Sequence, residues 1–350
     1  MRIALDATYS LGRNLSGIGV YSREILFGLA KAHPQQRFLF CYRPHRLWES
    51  LSDTLPANAS RRWLSGAPRA DLFHALNQRV DAVPTDKSAR RTVCTFHDLF
   101  ALTGEYSTAE FRARFSEQAR RAAERSDAII AVSQFTAAQV TELLGVEPGR
   151  VHVIPHGVRM PAAANQTMPV AQREQLVLFV GAIQKRKNIA RLVKAFETMP
   201  AGWRLVLAGA TDGYQATAEL HAVETSPRRH DIELAGYVST GALESLYARA
   251  SIFAFPSFDE GFGIPVLEAM AHGVPVITSS RSALPEAAGD AALLVDPFDT
   301  DTLAAALNRL AADADLRELL AAKGRERARM FSWEAAVAKT WNVYQTLLAT

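Results

Sequence analysis

The sequence has only two cysteines, Cys41 and Cys94, and no apolar run near the roughly 20 residues of a membrane-spanning helix. Both cysteines lie in strand-like apolar runs, which excludes a disulfide framework and indicates a reducing compartment. The first residues lack the apolar core of a signal peptide, so we expect a cytoplasmic protein. Charged residues make up only 21% of the chain and hydrophobic residues 48%. This composition excludes a disordered chain, a collagen-like repeat and a coiled coil.

The 350 residues suffice for two domains with large cores. The net charge is only +3, and arginine greatly outnumbers lysine among the 39 basic residues. Such a bias is typical of whole genomes, so arginine abundance by itself is not evidence for nucleic-acid binding.

Short apolar runs alternate with segments of helical period, which predicts parallel sheets with crossover helices. In the first half we expect strands over Arg2–Ala7, Arg37–Tyr42, Asp71–Leu76, Arg91–Phe96, Asp127–Val132 and Arg150–Ile154, and helices over Ile18–His33, Thr108–Arg125 and Gln134–Leu144. In the second half we expect strands over Leu176–Gly181, Arg204–Gly209, Asp231–Tyr237, Ser251–Phe255, Val274–Ser279 and Ala291–Val295, and a helix capped by Asn188.

The stretch 161–169 has no periodicity and is predicted to be a linker. The expected fold class is therefore α/β, with two Rossmann-like domains whose parallel sheets face each other across a cleft. We expect domains at 1–165 and 170–331, and a helix in 332–350 that packs back on the first domain. Open α/β sheets bind ligands beyond the carboxyl ends of their strands, so the functional residues are expected in strand-to-helix loops.

The loop before a predicted helix reads Glu260-Gly261-Phe262-Gly263-Ile264. Its glycines allow a tight turn that exposes N–H groups at a helix N-terminus, a favourable place for a phosphate. Glu260 is expected in the loop and Glu268 in the first turn of the helix, where two carboxylates could bind hydroxyl groups of one ligand. Acidic residues that complement the helix dipole would give the same pattern.

A second loop contains Lys185-Arg186-Lys187. Three cations at the start of a helix oppose its dipole, so an anion such as a diphosphate is expected there. A solvated basic turn is the alternative.

In the first half, the Ser16-Gly17-Ile18-Gly19 loop permits close backbone approach but lacks the third glycine of a dinucleotide fingerprint. His97-Asp98 ends a predicted strand, where His97 could donate to a sugar hydroxyl or position an acceptor, with Asp98 as orienter or base. A structural His–Asp pair is the alternative. His74 and His156 are expected to serve packing and the linker turn, and no group of residues has metal-ligand spacing.

Taken together, these segments resemble the retaining glycosyltransferases of family 4, which have the GT-B fold. The resemblance lies in Glu260-Gly261-Phe262-Gly263 running into Glu268, the Gly17 and Gly19 loop, and His97-Asp98. Ile154-Pro155-His156-Gly157-Val158 and Leu284-Pro285-Glu286-Ala287-Ala288-Gly289 extend it over nearly the whole chain.

This resemblance implies an enzyme that moves a sugar from a nucleotide-diphosphate donor, bound by the second domain, to a saccharide or lipid-linked acceptor bound by the first. It implies retention, no metal and no other cofactor. Arg186 and Lys187 would neutralise the diphosphate with backbone N–H groups of Phe262 to Ile264. Glu260 would hold donor-sugar hydroxyls and Glu268 the ribose, while Gly17 would pack beside the phosphates and His97 would reach the donor sugar.

The Arg186-Lys187-Asn188 string resembles bacterial mannosyltransferases, so GDP-mannose is the favoured donor and cell-surface polysaccharide synthesis the expected pathway. Ala182 stands where many members have arginine, which leaves a UDP-sugar as the second candidate.

A sugar-nucleotide epimerase of the same fold is an alternative function. A nucleic-acid-binding protein is a more distant one, because Glu110, Glu117 and Glu124 interleave with the arginines of the Thr108–Arg125 helix. Contact of that helix with anionic lipid, at the inner face of the membrane, is a further possibility.

Overall fold

The computed structural model describes residues 1–12, 15–64, 69–78, 89–161 and 168–349. They form two compact units. The first comprises Met1–Gly104, Ala109–Gly157 and Ser332–Thr350, and the second comprises Glu105–Thr108 and Val158–Phe331. Residues 162–167, which include most of the predicted linker and residue 165, where the first domain was expected to end, lie outside the described residues.

The described part of the first unit contains one parallel sheet of seven strands. The strands are β1 (Arg2–Asp6), β2 (Arg37–Tyr42), β3 (Ala59–Trp63), β4 (Ala70–Ala75), β5 (Ala89–Phe96), β6 (Ala128–Ala131) and β7 (Val151–Val153). The helices are α1 (Gly17–Ala32), α2 (Pro44–Leu47), α3 (Phe100–Thr103), α4 (Ala109–Arg125), α5 (Gln134–Leu144) and, from the chain's end, α13 (Trp333–Ala349).

The strand order in this sheet is β3-β2-β1-β4-β5-β6-β7. Strands β2 and β3 lie on one side of β1 and strands β4 to β7 on the other, so the strand order reverses between β1 and β4. Alternation along each strand supplies the two faces of the core. Ile3 and Leu5 of β1 pack on the face that α1 and α13 cover, whereas Ala4 packs on the opposite face with Phe115 of α4.

The last helix, α13, packs closely against α1. A Cβ atom placed on Gly28 of α1 would come within 2.5 Å of Val337 Cγ2, so a side chain at this position would prevent the approach. Trp341 and Tyr344 of α13 are buried in the same core.

The arginine-rich helix α4 buries Phe115, Ala119 and Ala122. Arg121 forms an ion pair with Glu117 one turn away. Such pairing is typical of an ordinary surface helix.

The second unit also contains one parallel sheet, of six strands in its described residues. They are β8 (Glu174–Val180), β9 (Arg204–Ala208), β10 (Ile232–Gly236), β11 (Ala250–Phe255), β12 (Val276–Ser279) and β13 (Ala292–Val295). The helices are α6 (Ile189–Phe196), α7 (Ala216–Glu224), α8 (Thr240–Arg249), α9 (Ile264–Ala271), α10 (Leu284–Ala288), α11 (Thr300–Ala312) and α12 (Ala314–Arg329). The order β10-β9-β8-β11-β12-β13 makes β8 and β11 neighbours at the point of reversal.

Two local predictions are wrong. Asn188 does not cap α6 with its side chain: its φ is 60°, and its amide instead donates to the carbonyl oxygens of Pro256 and Pro297 at 3.0 and 2.8 Å. Glu219 of α7 accepts from the Ala190 N–H at 2.7 Å and so supplies the missing cap. Glu268 lies in the second turn of α9 rather than the first, because the helix begins at Ile264.

Candidate active site

Two loops of the second unit follow the neighbouring strands β8 and β11. The first contains Lys185–Lys187, folded as a short 3-10 turn, and the second contains Phe258 to Gly263. The Phe258 N–H donates to the Arg186 carbonyl oxygen at 2.9 Å, so the two loops are joined through their backbones. Because β8 and β11 flank the reversal in strand order, this is where an open α/β sheet is expected to bind a ligand.

The centre of these loops is an ion cluster of Arg186, Lys187 and Glu260. Arg186 Nη1 lies 2.8 Å from Glu260 Oε2, and Lys187 Nζ lies 2.5 Å from Glu260 Oε1. The three side chains are 10%, 10% and 11% exposed, which excludes the solvated basic turn for Arg186 and Lys187. Arg186 also donates to the Asp259 carbonyl oxygen, and Lys187 Nζ lies 4.6 Å from the centre of the Phe255 ring.

Electrostatics keep Glu260 ionised. Burial alone would raise its pKa, but the charges of Arg186 and Lys187 and the hydrogen bonds that they donate outweigh burial and lower the pKa to about 2. Two cations face one carboxylate, so the cluster carries a net positive charge with little access to water. Such a cluster favours an anionic ligand.

The start of α9 lies directly beyond Glu260. Gly263 has a φ of 111°, a conformation that favours glycine, and a Cβ atom there would come within 2.8 Å of Leu284 Cδ2. Gly263 has no side chain to cap the helix, and its carbonyl oxygen accepts from the Val266 N–H at 3.0 Å. Phe262 is buried and packs edge-on against Phe331, with ring centres 5.7 Å apart.

Glu268 has a different environment from Glu260. Its carboxylate accepts a hydrogen bond from Tyr247 of α8, whose hydroxyl lies 3.0 Å from Glu268 Oε2. Burial raises the pKa of Glu268 to about 7, and the Tyr247 hydrogen bond opposes this shift. Tyr247 in turn stacks on His272, with ring centres 5.0 Å apart.

In the first unit, His97 directly follows β5 and is buried. Its Nε2 lies 2.9 Å from the Leu76 carbonyl oxygen, and because a carbonyl only accepts, Nε2 carries the proton. Burial lowers the pKa of His97 to about 4, so the ring is neutral at pH 7 and its Nδ1 is an acceptor. Asp98 is half-buried at the same strand end.

The glycine loop of the first unit begins α1. The Ser16 hydroxyl accepts from the Gly19 N–H at 3.3 Å and so caps the helix. A Cβ atom on Gly19 would lie 2.9 Å from the Tyr9 carbonyl oxygen, whereas Gly17 is exposed. Gly19 therefore has a structural reason to be glycine, and Gly17 leaves its backbone accessible.

The structure thus brings Arg186, Lys187, Glu260 and the start of α9 together in the second unit. His97, Asp98 and the glycine loop lie in the first. Tyr247 could not be predicted from the sequence, since a lone tyrosine 21 residues before Glu268 belongs to no motif.

Comparison with known proteins agrees with this arrangement. Residues 16–160 match the family model "Glycosyltransferase Family 4", and residues 165–327 match "Glycosyl transferases group 1". The O-antigen chain mannosyltransferase B of Escherichia coli is 34% identical over 270 residues, which cover 73% of this chain and 71% of that protein.

Among solved structures, sucrose-phosphate synthase from Thermosynechococcus elongatus superposes with a TM-score of 0.82 at 22% identity, covering 100% of this chain and 99% of that one. Anabaena HepE in complex with UDP-glucose superposes with a TM-score of 0.75 at 19% identity, covering 100% of this chain and 99% of HepE. The fold and the site define a glycosyltransferase of the GT-B type. The chain belongs to glycosyltransferase family 4.

No helix in the described residues is long and apolar enough to cross a membrane.

Proposed function

We propose that the protein is a retaining hexosyltransferase that moves mannose from GDP-mannose to a saccharide or lipid-linked saccharide of the cell surface, without a metal ion. The observation that carries this proposal is the buried cluster of Arg186, Lys187 and Glu260 at the start of α9. Its net positive charge and the adjoining helix N-terminus suit a diphosphate, and its carboxylate suits a sugar that becomes positive as its bond breaks.

In the proposed reaction, the bond between the anomeric carbon and the diphosphate oxygen breaks, and the leaving diphosphate gains negative charge. Arg186 and Lys187 stabilise that charge and supply the positive field for which many enzymes use a metal. The acceptor hydroxyl attacks on the face that the diphosphate leaves and transfers its proton to a departing phosphate oxygen. Neutral His97, with Nδ1 as an acceptor, is suited to a hydroxyl of the donor sugar.

The choice of donor rests on two observations. The Escherichia coli relative is a mannosyltransferase, and the Arg186-Lys187-Asn188 string resembles mannosyltransferases of the same family. HepE, which shares the fold, was solved with UDP-glucose, so a UDP-sugar is the second candidate.

A thermal-shift screen with GDP, UDP, GDP-mannose and UDP-glucose tests this proposal. A ligand at 100 times its dissociation constant adds about 2.7 kcal/mol to the free energy of unfolding. We expect GDP and GDP-mannose to raise the melting temperature in buffer that contains EDTA. Stabilisation by UDP and not by GDP would reverse the choice of donor, and stabilisation that requires magnesium would contradict the metal-free role of Arg186 and Lys187.

The raised pKa of Glu268 predicts pH-dependent nucleotide binding. With a pKa of about 7, the carboxyl group is mostly protonated at pH 6 and mostly ionised at pH 8. If the ionised group accepts from the ribose hydroxyls, GDP affinity should rise about 10-fold over this range, beyond any change due to the phosphates themselves. The Glu268→Gln variant controls for the phosphates, and calorimetry should find that its affinity is lower and lacks this additional pH dependence. An equal pH dependence in both proteins would remove Glu268 from the ribose site.

A further inference from the structure

A chain of buried hydrogen bonds crosses the first unit from the last helix to the first. The Tyr344 hydroxyl of α13 lies 2.5 Å from His74 Nδ1, and His74 Nε2 lies 2.8 Å from Thr95 Oγ1. Thr95 Oγ1 in turn lies 2.9 Å from the Tyr21 hydroxyl of α1. Four residues from α13, β4, β5 and α1 are thereby connected, although Tyr344 and His74 are 270 positions apart.

Every member of this chain is buried: Tyr344, His74 and Thr95 are 0% exposed, and Tyr21 is 1% exposed. Burial lowers the pKa of His74 to about 3, with the nearby His97 acting in the same direction, so its imidazole is neutral. A neutral imidazole donates through one nitrogen and accepts through the other. His74 therefore donates to one hydroxyl neighbour and accepts from the other, and the loss of either neighbour leaves a buried polar atom without its bond.

This series of hydrogen bonds ends at Tyr21, which contacts His97 of the candidate site. The Tyr21 ring packs edge-on against His97 and His156, with ring centres 4.8 and 4.9 Å away. His97 and His156 stack on each other at 5.3 Å and an interplanar angle of 11°. Trp333, the first residue of α13, lies against Tyr21 and His156, at 6.3 and 5.9 Å. Tyr21 and His156 thus confine the His97 ring on two sides.

We propose that Tyr344, His74 and Thr95 are positioning residues for the transfer reaction, acting through Tyr21 on the orientation of the His97 ring. The His97 ring is held by a hydrogen bond from its Nε2 to the Leu76 carbonyl oxygen. This bond does not prevent the ring from rotating about it, so the ring orientation depends on packing. The Tyr21 ring supplies that packing, and the buried hydrogen-bond chain holds the Tyr21 hydroxyl in place. The role of His97 in turnover rests on the proposed function.

The test uses two substitutions that remove single hydroxyl groups with little change of shape, Tyr344→Phe and Thr95→Val. We expect each to lower kcat about 10-fold, below the roughly 100-fold cost of a 1 Å misplacement, and to leave GDP affinity unchanged. The links act in series, so the double variant should lose no more than either single one. In a His97→Ala background, Tyr344→Phe should have no further effect on kcat. Turnover is measured as release of nucleoside diphosphate from the donor that the thermal screen identifies.

Tyr42→Phe is the matched control, because Tyr42 is a buried tyrosine of the same sheet that is not a member of this series of hydrogen bonds. It should leave kcat within twofold. Equal losses of kcat from Tyr344→Phe with and without His97 would overturn the proposal and make the chain purely structural. If Tyr344→Phe does not fold, Thr95→Ser against Thr95→Val gives the same comparison, since serine keeps the hydroxyl.

Imidazole nitrogen chemical shifts, recorded without donor, separate this inference from the proposed function. We expect the His97 signals, identified by their loss in His97→Ala, to move in Tyr344→Phe and to stay in place in Tyr42→Phe. Unchanged His97 signals in Tyr344→Phe would overturn the positioning role whatever the activity. Full turnover by His97→Ala would instead contradict the proposed function of His97.

Discussion

Lys187→Ala is expected to lower kcat by about 10²- to 10³-fold, the usual cost of removing one preorganised group that stabilises transition-state charge. Lys187 is only 10% exposed, so water screens its charge poorly and no neighbouring solvent can replace it. In the proposed function the same cation faces the diphosphate of the product, so GDP affinity should fall as well. Joint loss of turnover and affinity is the expected result for a group that contacts the leaving diphosphate.

Lys194→Ala is a matched control in the same unit. Its side chain is 57% exposed and its ion pair with Glu197 at 3.2 Å lies on the surface, so its removal should change neither kcat nor GDP affinity. Calorimetry with GDP and saturation kinetics with the donor measure both quantities. Wild-type affinity and turnover in Lys187→Ala would show that this lysine serves only to neutralise Glu260.

The periodicity of the sequence was sufficient to predict most strands, because the central strands of a parallel sheet are buried on both faces and appear as continuous apolar runs. It failed at β3, whose residues Ala59–Trp63 read Ala-Ser-Arg-Arg-Trp. This strand is at the edge of the sheet and is only partly buried, so its positions do not require apolar residues.

The loops of the candidate site could also be predicted, since glycines and cations after a strand have a physical meaning on their own. The contact between the two loops could not be predicted. Lys187 and Glu260 are 73 positions apart, and they meet because β8 and β11 are neighbours in the sheet. Hydrophobic periodicity identifies strands but does not indicate their order in a sheet. The buried chain through His74 likewise depends on α13 packing against the first sheet, and a lone histidine in an apolar strand gives no sign of it.

Glu260→Ala should combine a large loss of turnover with a large loss of stability in the absence of ligand. In the unliganded protein, removal of Glu260 leaves Arg186 and Lys187 buried without their shared carboxylate, which typically costs about 3–5 kcal/mol. The pKa of Glu260 gives a similar figure, because a value of about 2 against the ordinary 4.5 corresponds to about 3 kcal/mol. This stabilisation is complete above pH 4.5 and is lost as the pH falls toward about 2, since the lowered pKa belongs to the folded state.

In the proposed function a bound diphosphate replaces the missing anion, so GDP should stabilise Glu260→Ala more than it stabilises the wild type, and GDP affinity should be at least as high. Turnover should nevertheless fall by about 10²- to 10³-fold, because no carboxylate remains near the sugar as it becomes positive. Glu260→Gln, which keeps an acceptor and loses the charge, should show the same pattern and should lack the loss of stability between pH 4.5 and 2. Thermal melts with and without GDP, together with saturation kinetics, separate these effects. Weakened GDP binding in Glu260→Ala, with binding retained in Glu268→Ala, would mean that the two glutamates have exchanged roles.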